Sequence, residues 1–242
     1  MISAIQNKTS TIDGVLVVDK PAGPTSHDIV SMVKRLTGAS KIGHLGTLDP
    51  AASGVLPLAI NEATTMAGQL AGIDKVYEFT LCLGTTTTTD DSAGDVIAQA
   101  PALPDLMANL RLILPRFTGS ILQRPPRFSA IKVRGKRAYE LARKGIDFEL
   151  EPRSVRIDSI DIIGENWPQL RLRMSCNSGT YVRSLCRDLG NALGCGGHAK
   201  DIRRLKSGPY IIDKALTMDD LQKEPSMWLK HLILIKKTLY TP

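Results

Sequence analysis

The sequence is poor in the residues that build metal centres and disulfide frameworks. Its 242 residues include only four cysteines and four histidines. Cys82, Cys176, Cys186 and Cys195 lie far apart with no Cys-x-x-Cys pair. A chain of this length can bury a core without covalent staples, so reduced thiols in a cytoplasmic protein are expected. Cys195 and His198 form a lone Cys-x-x-His with no second pair at zinc spacing, and His27, His44, His198 and His231 are too scattered to nominate a metal site. No apolar run approaches the roughly 18 residues of a membrane span, and the opening MISAIQNKTSTIDG has no apolar signal region. The phosphate-loop, zinc-protease and serine-hydrolase signatures are missing too. Gly194, Gly196 and Ala199 match Gly-x-Gly-x-x-Ala, but they follow a helical pattern instead of a strand, which argues against a dinucleotide site. The expectation is a protein without metal, cofactor or membrane anchor.

What is present is positive charge, unevenly placed. Lys plus Arg is 31 and Asp plus Glu is 24, giving +7. Residues 1–121 carry 8 basic and 11 acidic side chains (8 − 11 = −3), and residues 122–242 carry 23 and 13 (23 − 13 = +10). Such asymmetry suggests a polyanion-facing surface built by the second half. Apolar residues at 43% and charged residues at 23% are ordinary globular values that permit a core.

Hydrophobic patterning mixes strands and helices. Gly14–Val18 reads as a short buried strand running into the turn Lys20-Pro21-Ala22-Gly23-Pro24. Thr25 and Asp28 have capping-box spacing ahead of Ile29, Val30, Val33 and Leu36, with Gly38 as the stop. Val55–Ile60 is a second buried strand. Residues 76–83 alternate, placing Tyr77, Phe79, Leu81 and Leu83 on one inward face. A helix is predicted over Leu103–Leu114, and strands over Arg153–Ile163 and Leu170–Cys176. Tyr181, Leu185, Leu189 and Leu193 mark an amphipathic helix that Thr180 could cap. The five threonines from Thr85 to Thr89 read as a strand end entering the acidic turn that begins at Asp90. Short hairpin signals beside helical crossovers favour a mixed sheet with helices packed on it over a doubly wound parallel one.

Two segments stand out chemically. Gly43–Gly54, GHLGTLDPAASG, packs three glycines around one histidine and one ionisable carboxylate, Asp49. A lone aspartate presented on a glycine-rich turn can act as nucleophile or general base. On composition alone an ordinary turn aspartate is the better reading, since Asp-Pro is a common turn dipeptide. Residues 123–145, QRPPRFSAIKVRGKRAYELARKG, carry eight basic side chains against one glutamate, interleaved with Phe128 and Tyr139. That density favours a loop lying against RNA phosphates over a merely solvated face. Arg203, Arg204 and Lys206 form a second, smaller basic cluster.

Six segments in order resemble the bacterial TruB family of tRNA pseudouridine synthases: GVLVVDKPAGPTSHDIV, GHLGTLDPAASGVLPLAI, KVYEFTLCLG, QRPPRFSAIKVRGKRAYELARKG, SGTYVRSLCRDLG and HAKDIRRLKSG. The resemblance covers roughly residues 13–225. It implies an α+β fold, a mixed and mainly antiparallel central sheet flanked by helices. It also implies a cofactor-free isomerisation of the T-loop uridine at tRNA position 55, with the base flipped out of its stack. Residue by residue it assigns Asp49 as the catalytic carboxylate, either attacking the nucleotide or drawing a proton from the ribose. Tyr77 is then the ring that stacks on the base, and Arg183 the arginine that pairs with the catalytic aspartate. His44 holds extruded nucleotides, Tyr181 packs behind the arginine and Leu205 closes the pocket. Lys20 sits in the first motif, where support of the Asp49 loop competes with substrate contact. Arg127, Lys132 and Arg134 represent the basic loop on the tRNA T-arm.

The expected organisation is a flexible segment over 1–12, a catalytic domain over 13–208 containing the basic loop 123–145, and a short extension over 209–242 completing the domain. The 34 residues after Gly208 are too few for the RNA-binding PUA domain that family members usually append. A monomer is expected. The competing readings are a non-catalytic tRNA-binding protein or RNA chaperone, and a guide-RNA-dependent, dyskerin-like synthase.

Overall fold

The computed structural model describes residues 12–235; residues 1–11 of the expected flexible segment and the end of the expected extension lie outside them. Along the chain run β1 (Gly14–Lys20), α1 (Ser26–Thr37), β2 (Ile42–His44), β3 (Ser53–Ile60), α2 (Ala67–Leu70) and β4 (Asp74–Leu83). Then come β5 (Thr85–Thr87), β6 (Val96–Gln99), α3 (Leu106–Ile113), β7 (Gly119–Gln123), β8 (Lys132–Val133), β9 (Lys136–Arg137) and α4 (Ala138–Arg143). After them follow β10 (Arg153–Asn166), β11 (Gln169–Asn177), α5 (Val182–Ala192), β12 (Gly197–Ser207), β13 (Tyr210–Ile211) and β14 (Leu216–Thr217). The chain continues through α6 (Met218–Lys223), α7 (Met227–His231) and β15 (Ile233–Leu234). These elements divide into two compact units, one formed by the chain up to Lys75 together with Arg203 onward, the other by Val76–Ile202.

In the first unit the strand order is β14-β1-β3-β12, with β15 on β1, β2 on β3 and β13 on β12. The pairs β1–β14 and β3–β12 are parallel, while β1–β3, β1–β15, β2–β3 and β12–β13 are antiparallel. Within the expected extension over 209–242, the apolar stretch at 232–235 supplies β15, which pairs Ile233 with Val15. β1 and β3 are buried on both faces: Val15, Val17, Val55 and Ala59 join Leu45, Ala63 and Tyr210 on one side, and Leu16, Val18, Leu56 and Leu58 are equally inaccessible. This explains why both strands read as continuous apolar runs. The Thr25–Asp28 capping box is made in full, and Gly38 ends α1 in the left-handed conformation at φ 68. Ile29, Val30 and Val33 form the buried stripe of α1.

In the second unit the order is β12, through Ile202, then β4-β11-β10-β7, with the β5–β6 and β8–β9 hairpins standing apart from this sheet. The β10–β11 and β7–β10 pairs are antiparallel. On β11 the apolar residues fall on one face as the alternation predicts, with Leu170, Leu172 and Met174 wholly buried. Two expectations are corrected. β4 is not one-faced, because every residue from Phe79 to Leu83 is buried and Tyr77 itself is only half-buried. The strand is interior to its sheet, between β12 and β11, and α5 packs on the start of the neighbouring β12 so closely that a Cβ on Gly190 would sit 2.2 Å from Gly197 N. Thr180 does not cap α5; Tyr181 occupies that position. Its backbone N–H donates to Gln123 Oε1 (2.8 Å) and its carbonyl accepts from Gln123 Nε2 (3.1 Å). A buried glutamine amide thus takes the place that the sequence pattern suggests for a hydroxyl.

Candidate active site

In the first unit the loop between β2 and β3 presents Asp49, and its backbone is pinned on both sides of that residue. Ser26, the first residue of α1, accepts from Leu48 N and donates to Leu48 O, both at 2.9 Å. Pro50 O accepts from Gly23 N at 2.8 Å and from Lys20 Nζ at 3.2 Å, and Ala52 N closes the turn on Asp49 O at 3.1 Å. Leu45 and Leu48 anchor the loop in the core. The chain immediately before and after Asp49 is therefore fixed while its side chain stays half-buried, the condition for a group held in one orientation at little cost during reaction.

Two buried cations hold this loop through its carbonyls. Lys20 is 0% exposed and donates to Pro21 O and Pro24 O (2.8 Å each) as well as to Pro50 O. This geometry makes it a support of the loop and leaves its ammonium no accessible surface for RNA. Arg204, 1% exposed, donates through Nε to Val55 O (2.8 Å), through Nη1 to Thr47 O (3.2 Å) and through Nη2 to Gly46 O (3.0 Å). Both legs of the loop thus end on one planar guanidinium. Gly54 is what allows this approach: at φ +104 its Cβ would lie 2.2 Å from the Arg204 carbonyl oxygen. Of the second basic cluster, Arg204 is therefore withdrawn from any exposed patch, and Arg203 makes a bidentate pair with Asp19 at 2.7 and 3.1 Å.

Burial pushes Lys20 down to about 8, with nearby Asp49 opposing the shift and Arg204 adding to it. A base held more weakly protonated in the folded chain gives up its proton on folding in the window from about 8 to the ordinary 10.5, so its contribution to stability rises with pH there. Wild-type protein should accordingly gain stability relative to Lys20→Met between about pH 8 and pH 10, measured as urea midpoints. A difference that stays constant or shrinks across that range contradicts the assignment.

His44, at the end of β2, is half-buried, and its Nδ1 finds no hydrogen-bond partner among the described residues. Burial, then the charges of Arg204 and His27, lower its pKa below the usual imidazole value. At neutral pH it is an uncharged ring able to donate or accept a hydrogen bond. Leu205 is half-buried on β12 and, one residue from the inward Arg204, belongs to the opposite face of the strand.

In the second unit Arg183 sits in the first turn of α5, 3% exposed. Its Nη1 donates to Thr89 O and its Nη2 to Phe128 O, both at 2.9 Å, and Asp91 Oδ2 lies 3.7 Å from its Nε. Asp91 is itself fixed, accepting from Thr89 Oγ1 (2.6 Å) and Ala93 N (3.0 Å). The sequence pattern marks residues 85–95 only as a strand end and a turn; the threonine run and the paired aspartates are the signal that this segment holds an arginine. Tyr77 is half-buried on β4, and Tyr181 is the extended residue that immediately precedes α5.

The basic loop splits by role. Lys132 and Arg134 are exposed on the β8–β9 hairpin, where Arg134 takes φ 49 and Gly135 φ 83 at the turn. Arg127 instead closes the base of the loop: it donates to Asp147 Oδ1 (2.9 Å) and Ile146 O (3.2 Å) and stacks over Phe148 at 4.9 Å. Cys195 is buried, and His198 Nδ1 lies 3.0 Å from Thr85 O, so the Cys-x-x-His pair has local roles. Among the described residues no group of three or more His, Cys, Asp or Glu could hold a metal ion, and no helix is long and apolar enough to cross a membrane.

Comparisons with known proteins agree in direction. The family described as TruB family pseudouridylate synthase (N terminal domain) matches residues 34–182, and the tRNA pseudouridylate synthase B C-terminal domain matches residues 183–236. The tRNA pseudouridine synthase B of Thermobifida fusca is 46% identical over 220 residues, spanning 88% of this chain and 75% of that protein. Its counterpart in Mycobacterium tuberculosis is 42% identical over 225 residues, 91% of this chain and 76% of that one. Among solved structures, a chain of a Cbf5-Nop10-Gar1 complex superposes with a TM-score of 0.69 at 31% identity. The match takes in 93% of this chain and 58% of that one.

Proposed function

The chain belongs to the TruB family of pseudouridine synthases, and from that premise we propose that it isomerises the T-loop uridine at position 55 of tRNA to pseudouridine. It does so as a monomer, in the cytoplasm, without guide RNA. The observation that carries this reading is the Asp49 loop, a carboxylate-bearing turn whose backbone is locked through Ser26, Lys20 and Arg204. The reaction gains and loses no atoms overall. The N1–C1′ bond breaks, the base turns, C5 bonds to C1′, the C5 proton leaves and N1 takes one up. Asp49 supplies the carboxylate, whether as nucleophile or as base toward the ribose. Tyr77 carries the role of the ring stacked on the flipped base, where such stacking is worth about 1–3 kcal/mol. Arg183 carries that of the guanidinium which keeps a carboxylate ionised and oriented. His44, Tyr181 and Leu205 complete the base and nucleotide contacts. The direct experiment incubates tRNA labelled with tritium at uridine C5 with purified protein: an active enzyme liberates the label. Binding without release would favour the RNA chaperone instead.

Lys132 and Arg134 have the exposure needed to touch phosphate. Replacing both with serine should reduce the slope of log affinity against log salt by about 1.4 to 1.8, at roughly 0.7 to 0.9 for each phosphate left unneutralised. Adding Arg127→Ser should change the slope less than either, since that guanidinium is already paired with Asp147. An unchanged slope in the double variant means the hairpin does not touch the backbone of the RNA.

A further inference from the structure

One turn after Arg183 on α5, Arg187 makes a second set of contacts to the same two segments. Arg183 bridges Thr89 O to Phe128 O. Arg187 bridges Asp90 Oδ2 (Nη1, 2.9 Å) to Arg124 O (Nη2, 2.7 Å), and its Nε donates to Asp188 Oδ1 at 2.9 Å. Ser184, between them, donates to the same Arg124 carbonyl at 2.8 Å. Two arginines one turn apart on α5 therefore tie the acidic turn at 89–90 to the root of the basic loop at 124–128, and Ser184 adds a further bond to that root.

Asp90 makes this pairing more than a surface ion pair. Its backbone has φ +60, a left-handed conformation that is strained for a residue with a side chain and persists only when its surroundings hold it. The peptide unit entering that left-handed residue is the one whose carbonyl, Thr89 O, accepts from Arg183. Ala199 N donates to Asp90 O at 3.0 Å, and the Arg187 guanidinium holds the side chain. The direction of the Thr89 carbonyl, and with it one of the acceptors orienting Arg183, thus depends on a strained residue that Arg187 clamps. Burial raises the pKa of both Asp90 and Asp188, and Arg187 is the largest opposing influence on each, as expected of carboxylates that share one cation.

We propose that Arg187 is a positioning residue for the isomerisation: it fixes the left-handed turn at Asp90 and the root of the basic loop together, so that Arg183 is held in its working orientation. The proposal rests on the synthase reading and deepens it. Arg187 touches no reacting atom; its effect passes through Thr89 O and Phe128 O to Arg183.

The test measures single-turnover tritium release at saturating tRNA. Arg187→Ala should slow this rate by about 10- to 100-fold, the scale of a small misplacement of a catalytic group, with tRNA affinity changed by much less. Arg187→Lys keeps the charge opposite Asp90 and should recover part of the loss. In an Arg183→Lys background, whose orientation is already relaxed, Arg187→Ala should cost little more, so the two effects should not multiply. A purely structural role would lower the melting temperature and leave the effects multiplicative. Should Arg187→Ala fail to fold, Arg187→Lys and its combination with Arg183→Lys carry the same comparison. Wild-type turnover by Arg187→Ala, or multiplicative losses with Arg183→Lys, overturns the inference alone. Absence of release by the wild-type protein overturns the synthase reading and this inference with it.

Discussion

Asp49→Asn should release tritium from uridine-labelled tRNA at least roughly 10³-fold more slowly than the wild-type protein while binding the same tRNA within a few-fold of wild-type affinity. The substitution keeps the shape of the side chain and removes its charge and basicity. The bonds that fix the loop on either side of this residue are made by its backbone: Leu48 with Ser26, Pro50 with Gly23 and Lys20, and Ala52 N with Asp49 O. Those bonds survive the change, so a loss of rate reports on chemistry, and a melting temperature close to wild type confirms that the loop persists. Undiminished release from Asp49→Asn would move the catalytic role elsewhere.

The largest effect on stability is expected at Arg204. Truncation to alanine removes the guanidinium donor of three carbonyls, Val55 O in a buried site and Gly46 O and Thr47 O in part-buried ones. At about 1–3 kcal/mol for each orphaned acceptor, partly relieved by relaxation, Arg204→Ala should lose about 3–5 kcal/mol in urea denaturation. The gap left by the side chain adds to the loss. Arg204→Lys should restore little, because one ammonium cannot reproduce the three directions of a planar fork. Activity should fall in parallel, since the leg of the loop at Gly46 and Thr47 loses its anchor. A lysine variant as stable as wild type would show that charge alone suffices, and that the fork geometry is not what holds the loop.

The contrast between Arg204 and Lys132 shows where sequence reading succeeds and where it stops. Both are basic residues in basic clusters, and composition cannot separate a guanidinium folded inward onto carbonyls from an exposed ammonium on a hairpin strand. The difference lies in a long-range pairing, that of Arg204 with Gly54, which local patterns do not encode, whereas Lys132 pairs only within its own short hairpin. Local signals are more informative. The Thr25–Asp28 box and the Gly38 stop are legible because capping is decided within a few residues. The two-sided burial of β1 and β3 is legible in their unbroken apolar runs. The alternation in β4 misleads, because an interior strand covered on both faces hides its polar residues as well, and Thr80 is buried beside Leu81. The cap of α5 escapes sequence reading for a related reason: Gln123 reaches it from a strand 58 residues earlier in the chain. Asp49 is conspicuous as the one carboxylate in a glycine-rich segment. Its supports at Ser26 and Arg204 become visible only once the chain is folded.

The central claim is tested most directly by mapping the product. An unmodified tRNA transcript, incubated with the purified protein alone, is treated with a carbodiimide that marks pseudouridine and then read by reverse transcription. A single new stop at the T-loop uridine is the predicted result, absent with Asp49→Asn. A transcript bound yet left unmodified, or modified only after a guide RNA is supplied, would contradict the account.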